Sequence, residues 1–211
     1  MKTIIILILS FSITAAYAQS PYEKMITERV AELDTARTSR TLQRLANDFE
    51  RIALADEKNW LAHYYTAYSY VRLAYSIKGD QIDVYCNQAE TYLKTAEKLQ
   101  PKNSEILALY AYLYGAKVNV SPMLRGASMG KKSAGYTDLA IEADPENPRP
   151  YLIRAMGIYH TPRAFGGGAE KAVPYLEKAL GKYKTFTPAS KNAPRWGKAY
   201  AEQLLRESLK K

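Results

Sequence analysis

AETYLKTAEKLQPKNSEILALYA, residues 89–111, reads as the end of one helix, a proline turn and the start of the next. The segment recurs. Ala96 and Pro101 are matched 44 residues later by Ala140 and Pro145, and Ala67, Ala111 and Ala155 fall at the same interval. Self-similarity at this period marks a stacked repeat, in which each unit is a helical hairpin whose apolar face is covered by its neighbour. Alanine at the matched positions lets two helices approach to about 8–10 Å, without the backbone entropy cost of glycine. A proline just past the second helix stops it and redirects the chain.

The same spacing extends to both sides. Residues 60–77 (Trp60, Ala67, Tyr70) pair with 83–99 (Ala89, Leu93, Ala96, Leu99), and Gly79-Asp80 separates them. Residues 104–118 (Leu107, Tyr110, Ala111, Tyr114) pair with 131–143 (Leu139, Ala140) across a predicted loop at 119–130. Residues 149–160 (Tyr151, Ala155, Ile158) pair with 169–182 (Ala172, Leu176, Ala179) across a loop at 161–168. Upstream, 21–55 holds two helical stretches, the second with Leu42, Leu45, Phe49 and Ile52 on one face. Downstream, Pro188 and Pro194 punctuate a loop before a capping helix at 195–209, with Trp196, Tyr200, Leu204 and Leu205. No stretch alternates with period two, so no strand is expected.

The order Ala89, Leu93, Ala96, Pro101, Leu107, Tyr110, Ala111, Tyr114 resembles the tetratricopeptide repeat. The resemblance covers about residues 45–184. It implies an all-α fold, a right-handed α-solenoid of antiparallel helix pairs, with repeats at about 59–101, 103–145 and 147–184. The chain departs from the family by ten extra residues inside each of the first two hairpins and five inside the third. Ser133 and Thr137 stand where the family has a small and an aromatic residue, and Lys184 replaces the last proline. The resemblance further implies that the first helix of each pair lines a concave groove that contacts partners. Carried over position by position, the groove residues are Tyr64, Tyr68, Arg72, Tyr112, Arg149, Met156, Tyr159 and His160. Independently, Tyr64, Tyr68 and Arg72 are four apart and share one helix face. Tyrosine and arginine combine apolar area with a polar tip, which suits peptides and small polar ligands.

Composition sets further bounds. Lys2, an apolar run from Ile4 and Ala16-Tyr17-Ala18 form the charge, core and cleavage site of a secretory signal peptide over residues 1–18. The remaining chain, 19–211, has the length of one domain and is expected to be periplasmic or secreted, with no stable transmembrane segment after cleavage. The net charge is +9, from 30 Lys+Arg against 21 Asp+Glu. An exported chain has little use for nucleic acid, so this charge points to an anionic surface, an acidic partner or plain solubility. Cys86 is the only cysteine, which excludes an internal disulfide.

Catalytic patterns are weak. Gly126-Ala127-Ser128-Met129-Gly130 fits a nucleophile elbow, and Asp138 or Asp144 with His160 would complete a triad. That chemistry needs a strand entering a strained turn, and none is expected here. The same segment misses a phosphate loop by spacing. Gly130, Lys131 and Lys132 are read as the opening of a helix whose N–H groups attract anions. Arg163 and Gly167, at the start of the next second helix, form a similar candidate anion site. His63, His160 and Cys86 are too scattered for a metal site.

Taken together, the sequence predicts a non-enzymatic, exported helical scaffold without cofactor or metal. Its partner is a protein or peptide of the cell envelope bound in the tyrosine-rich groove. The alternative is a small anionic solute, closed over by the loops at 119–130 and 161–168. A serine esterase at Ser128 is the remote third reading.

Overall fold

The computed structural model describes residues 21–210; the signal-peptide assignment at 1–18 lies outside the described residues. The chain runs through α1 (Pro21–Thr35), α2 (Ser39–Ala55), α3 (Trp60–Tyr75), α4 (Gln81–Leu99), α5 (Ser104–Val118), α6 (Pro122–Ala143), α7 (Pro148–His160), α8 (Ala169–Thr185) and α9 (Lys198–Ser208). A 3-10 turn at Arg163–Phe165 lies between α7 and α8. There is no strand among the described residues, so the fold is all-α. None of the described helices is long and apolar enough to cross a membrane.

Local sequence explains where the first helix of each pair begins. Asn59, Asn103 and Asn147 stand 44 residues apart and cap α3, α5 and α7. Each side-chain oxygen accepts a backbone N–H of the first turn, at 3.3, 2.9 and 3.0 Å respectively. Those donors have no partner within the helix, which is why a short polar side chain is placed there. These caps carry the repeat as regularly as the alanines do, although the alanine spacing is the louder signal in the sequence.

The pairs α3/α4, α5/α6 and α7/α8 pack along their lengths, and α3, α5 and α7 lie side by side. Ala67, Ala89, Ala96, Ala111, Ala140, Ala155, Ala172 and Ala179 all sit at zero exposure, in the close contacts that their size permits. Helix α2 lies on α3, and α9 lies on α8. Cys86 is buried, its Sγ 3.9 Å from the Leu113 carbonyl oxygen.

One expectation about the hairpins is corrected. Residues 119–130 do not form a long loop; only 119–121 connect α5 to α6, and the helix starts at Pro122. Proline at a first helical position gives up no hydrogen bond and has the right φ. Once nucleated there, the helix runs through Gly126 and Gly130, because the α5 face beside it supplies the packing energy that weak propensity lacks. The extra residues of the second unit therefore lengthen a helix rather than a loop. The first unit is connected through 76–80, and the third keeps the longest connection, at 161–168.

Candidate functional site

The face formed by α3, α5 and α7 does not stand open along its whole length. The segment 186–197, between α8 and α9, crosses it and returns to α1. Its anchors are specific. Tyr65 donates to the Asn192 carbonyl at 2.8 Å. The Asn192 side chain donates to the Glu23 carbonyl at 3.0 Å and accepts from Thr27 at 2.6 Å. Trp196 donates through Nε1 to the Tyr64 hydroxyl at 2.9 Å, and Tyr183 donates to the Trp196 carbonyl at 2.9 Å. Asn192, Ala193 and Pro194 are buried by this crossing.

Arg149 is the hub beneath the crossing segment. Its side chain is fully buried. It donates to Glu105 Oε1 at 2.7 Å and to the Pro194 carbonyl. Its guanidinium lies over the rings of Phe186, at 4.9 Å, and Trp196, at 5.3 Å. A planar, weakly hydrated cation suits this sandwich of carboxylate, carbonyl and ring faces. Burial pushes the Glu105 carboxyl up to about 7, against the opposing pull of Arg149.

The predicted groove residues therefore divide. Tyr64 is fully buried and Tyr68 is 6 % exposed, both beneath Trp196. Arg72 donates to the carbonyls of Leu33 and Ala36, so it ties the α1–α2 turn to α3, while its guanidinium lies 5.8 Å from the Tyr68 ring centre. Tyr64, Tyr68 and Arg149 do not line open groove, because the chain's own segment occupies that half. Sequence spacing along α3 and α7 carries no information about a segment that begins well beyond either helix in the chain.

The other half is open and aromatic. Rings stack in series: Tyr75 on Tyr112 at 4.5 Å, Tyr112 on Trp196 at 5.7 Å, and Trp196 on Tyr68 at 4.9 Å, all within 23° of parallel. Tyr75, Tyr112 and Trp196 are only partly buried. Gly115 permits the first of these contacts. A Cβ there would come within 2.7 Å of the Tyr75 hydroxyl, which donates to the Tyr112 carbonyl at 3.2 Å. Tyr200, on α9, brings its half-buried phenol close enough to disfavour ionisation of Tyr75 and Tyr112. Burial is the larger cause of the raised phenol pKa at all three. Tyr159 donates to Glu207 Oε2 of α9 at 3.3 Å and meets the His160 ring edge-on at 5.0 Å. Met156 is buried, one turn earlier on α7.

Of the predicted groove residues, the fold thus brings Tyr112, Met156 and Tyr159 to one apolar cluster with a partly exposed aromatic face, while His160 meets the Tyr159 ring at its edge. It adds Tyr75, Trp196 and Tyr200, which the sequence reading did not include. Trp196 and Tyr200 were read as parts of a capping helix. Trp196 instead precedes α9 and packs against each of the three core clusters. Arg195 and Lys198, beside it in the chain, are exposed.

The candidate anion sites are not formed as expected. Gly130, Lys131 and Lys132 lie inside α6 rather than at its start, so their N–H groups serve the helix and offer nothing to an anion. Lys132 Nζ sits 5.2 Å from the Tyr114 ring centre. Arg163 pairs with Glu170 at 2.6 Å. Gly167 N–H donates to the Pro162 carbonyl at 3.2 Å, and a Cβ on it would collide with Thr161. The glycines at 166–168 serve a tight turn. Ser128 is an exposed helical residue whose hydroxyl donates to the Arg125 carbonyl at 3.3 Å, and no strained elbow exists there to support an esterase.

No known sequence-family profile matches the chain, and no curated protein matches it. Among solved structures it is similar to the HusA haemophore from Porphyromonas gingivalis. The two share 36% sequence identity and a TM-score of 0.81, over 90% of this chain and 93% of that one. At that identity, carried over nearly the full length of both chains, this protein belongs to the same family as HusA.

Proposed function

We propose that this chain is an exported, non-enzymatic binding protein that captures a porphyrin, haem foremost, on the partly exposed aromatic face of Tyr75, Tyr112, Trp196 and Tyr200. The observation that carries this reading is the series of stacked rings left partly exposed at the surface. A contiguous apolar patch of this kind marks a surface that meets a ligand or partner, and flat aromatic faces favour a flat aromatic guest. Each ring contact of this kind is worth about 0.5–1.5 kcal/mol beyond area burial. Kinship with a protein described as a haemophore supports the choice of guest. Haem also carries two carboxylates, so it satisfies the expectation of a small anionic ligand. Arg195 and Lys198, exposed and next to Trp196 in the chain, supply positive charge that would draw those carboxylates. Export follows from the signal-peptide reading of residues 1–18, and the helix pairs are stacked in the tetratricopeptide manner.

A protein segment from an envelope partner is the second reading. The crossing segment favours it, since this face already holds extended chain through carbonyl contacts from Tyr65 and Arg149.

The test is titration of the mature protein with haemin and with metal-free protoporphyrin IX, read by quenching of tryptophan fluorescence. Saturable binding is expected. The double substitution Tyr112→Ala/Tyr200→Ala removes two ring contacts and should weaken binding by about 5- to 150-fold. Absence of saturable binding by the wild type sinks the porphyrin reading. Recovery of the same envelope protein by wild type and not by the double variant would then favour the partner reading.

A further inference from the structure

We infer that the cleft between α1 and α2 is a second binding site, for a small carboxylate with a compact apolar body. It shares no residue with the aromatic face and does not depend on the porphyrin reading. The two helices run antiparallel from the short turn at 36–38, and each gives one stripe to the cleft. On α1 the stripe is Tyr22, Met25 and Arg29; on α2 it is Asp48, Arg51, Ile52 and Ala55. Nearer the turn, Val30 and Leu33 are buried and close the gap. At the far end Ala55 offers only a methyl group, and a cavity of about 220 Å³ remains. Ile52 is buried, whereas Met25, Arg51 and Ala55 are exposed, so the cavity reaches solvent. An apolar cavity of about 150 Å³ takes up benzene, so a phenyl or short alkyl group fits here.

Charge selects the head group. Asp48 Oδ2 lies 3.2 Å from Arg29 Nε and 3.0 Å from Arg44 Nη1, and Asp48 Oδ1 accepts from Arg51. Glu32 accepts from Arg29 at 3.3 Å and from Arg44. Three guanidiniums against two carboxylates leave one positive charge over. Both Asp48 oxygens are covered by these donors, so its charge is offset where a guest would approach. Arg51 carries the surplus. Among the described residues only its Nη2 is engaged, which leaves Nη1 and Nε as donors, and its side chain is 75 % exposed. A guanidinium fork at the edge of an apolar cavity matches the planar geometry of a carboxylate. An amine of the same shape is repelled by that charge, and an alcohol gains no ion pair.

The test titrates the isotope-labelled mature protein with phenylacetate, phenethyl alcohol and phenethylamine, which share one ring and differ in head group. Backbone amide shifts are followed by NMR. Phenylacetate should give saturable shifts concentrated at 22–29 and 48–55, and the other two compounds should not. Arg51→Gln removes the charge at an exposed position and should weaken phenylacetate binding by roughly 3- to 10-fold, as expected of a charge-assisted contact near solvent. Ala55→Leu fills the cavity from an exposed helical position and should abolish the shifts. Circular dichroism checks that both variants keep the helical fold. No saturable shift with phenylacetate, an equal response to phenethylamine, or undiminished affinity in either variant overturns the site. Shifts confined to the surroundings of Tyr112 and Trp196 also overturn it, because they assign the carboxylate to the aromatic face. Haemin binding is read separately, by tryptophan quenching, so each of these failures leaves the porphyrin reading standing.

Discussion

Replacing Trp196 by alanine should destabilise the protein far more than its partly exposed position suggests. The indole stacks on Tyr68 and Tyr112, donates to the Tyr64 hydroxyl and forms one face of the Arg149 sandwich. It also touches all three core clusters. Truncating a packed tryptophan costs about 3–5 kcal/mol in lost burial and cavity formation. In a chain of this length each kcal/mol lowers Tm by about 2–4 °C, which gives a fall of roughly 6–20 °C. Trp196→Phe separates the contributions. It keeps a ring in the stack but removes the donor to the fully buried Tyr64 oxygen, at a cost of about 1–3 kcal/mol. The assay is guanidinium denaturation followed by ellipticity, with midpoint and slope fitted separately. If Trp196→Ala stays within the roughly 0.5 kcal/mol of an ordinary surface substitution, the segment 186–197 is not held across the helices, and the division of the groove into closed and open halves fails.

Two further outcomes follow from the same hub. The folded-state pKa of Glu105, about 7, lies above its ordinary 4.5. Its contribution is therefore fully present below about pH 4.5 and is lost as pH rises through 7, a swing of about 3 kcal/mol. Denaturation midpoints across this window should decline with pH in the wild type and flatten in Glu105→Gln; parallel curves would refute the assignment. Gly197 has φ of +110° where the crossing segment enters α9, and a Cβ there would lie 2.1 Å from the Tyr183 hydroxyl and 2.9 Å from Leu152. Gly197→Ala combines backbone strain with overpacking and should cost roughly 2–5 kcal/mol in a thermal melt; an unchanged melt would show that neither the turn nor the contact is tight.

Periodic positions were legible in the chain because packing one hairpin on the next imposes the same local demand every 44 residues. Ala67, Ala111 and Ala155 answer the demand for close approach, and Asn59, Asn103 and Asn147 answer the demand of an uncapped helix start. Both requirements act within a turn or two of the residue itself, so they leave a local trace. The helix start at Pro122 was misplaced because two glycines nearby weaken the local signal, while the stabilising surface of α5 is remote from them in the text. The site was less legible still. Tyr112 and His160 were assigned to an inner face only through the tetratricopeptide resemblance, and nothing local says that Trp196 reaches Tyr68, 128 residues earlier, or that Arg149 grips the Pro194 carbonyl. Such contacts arise only when distant segments are brought together by burial of apolar area, which has no fixed direction along the chain. The alternation of alanine, asparagine and proline thus dictated stacked helices, whereas which tyrosines face solvent was settled by the path of one irregular segment across them.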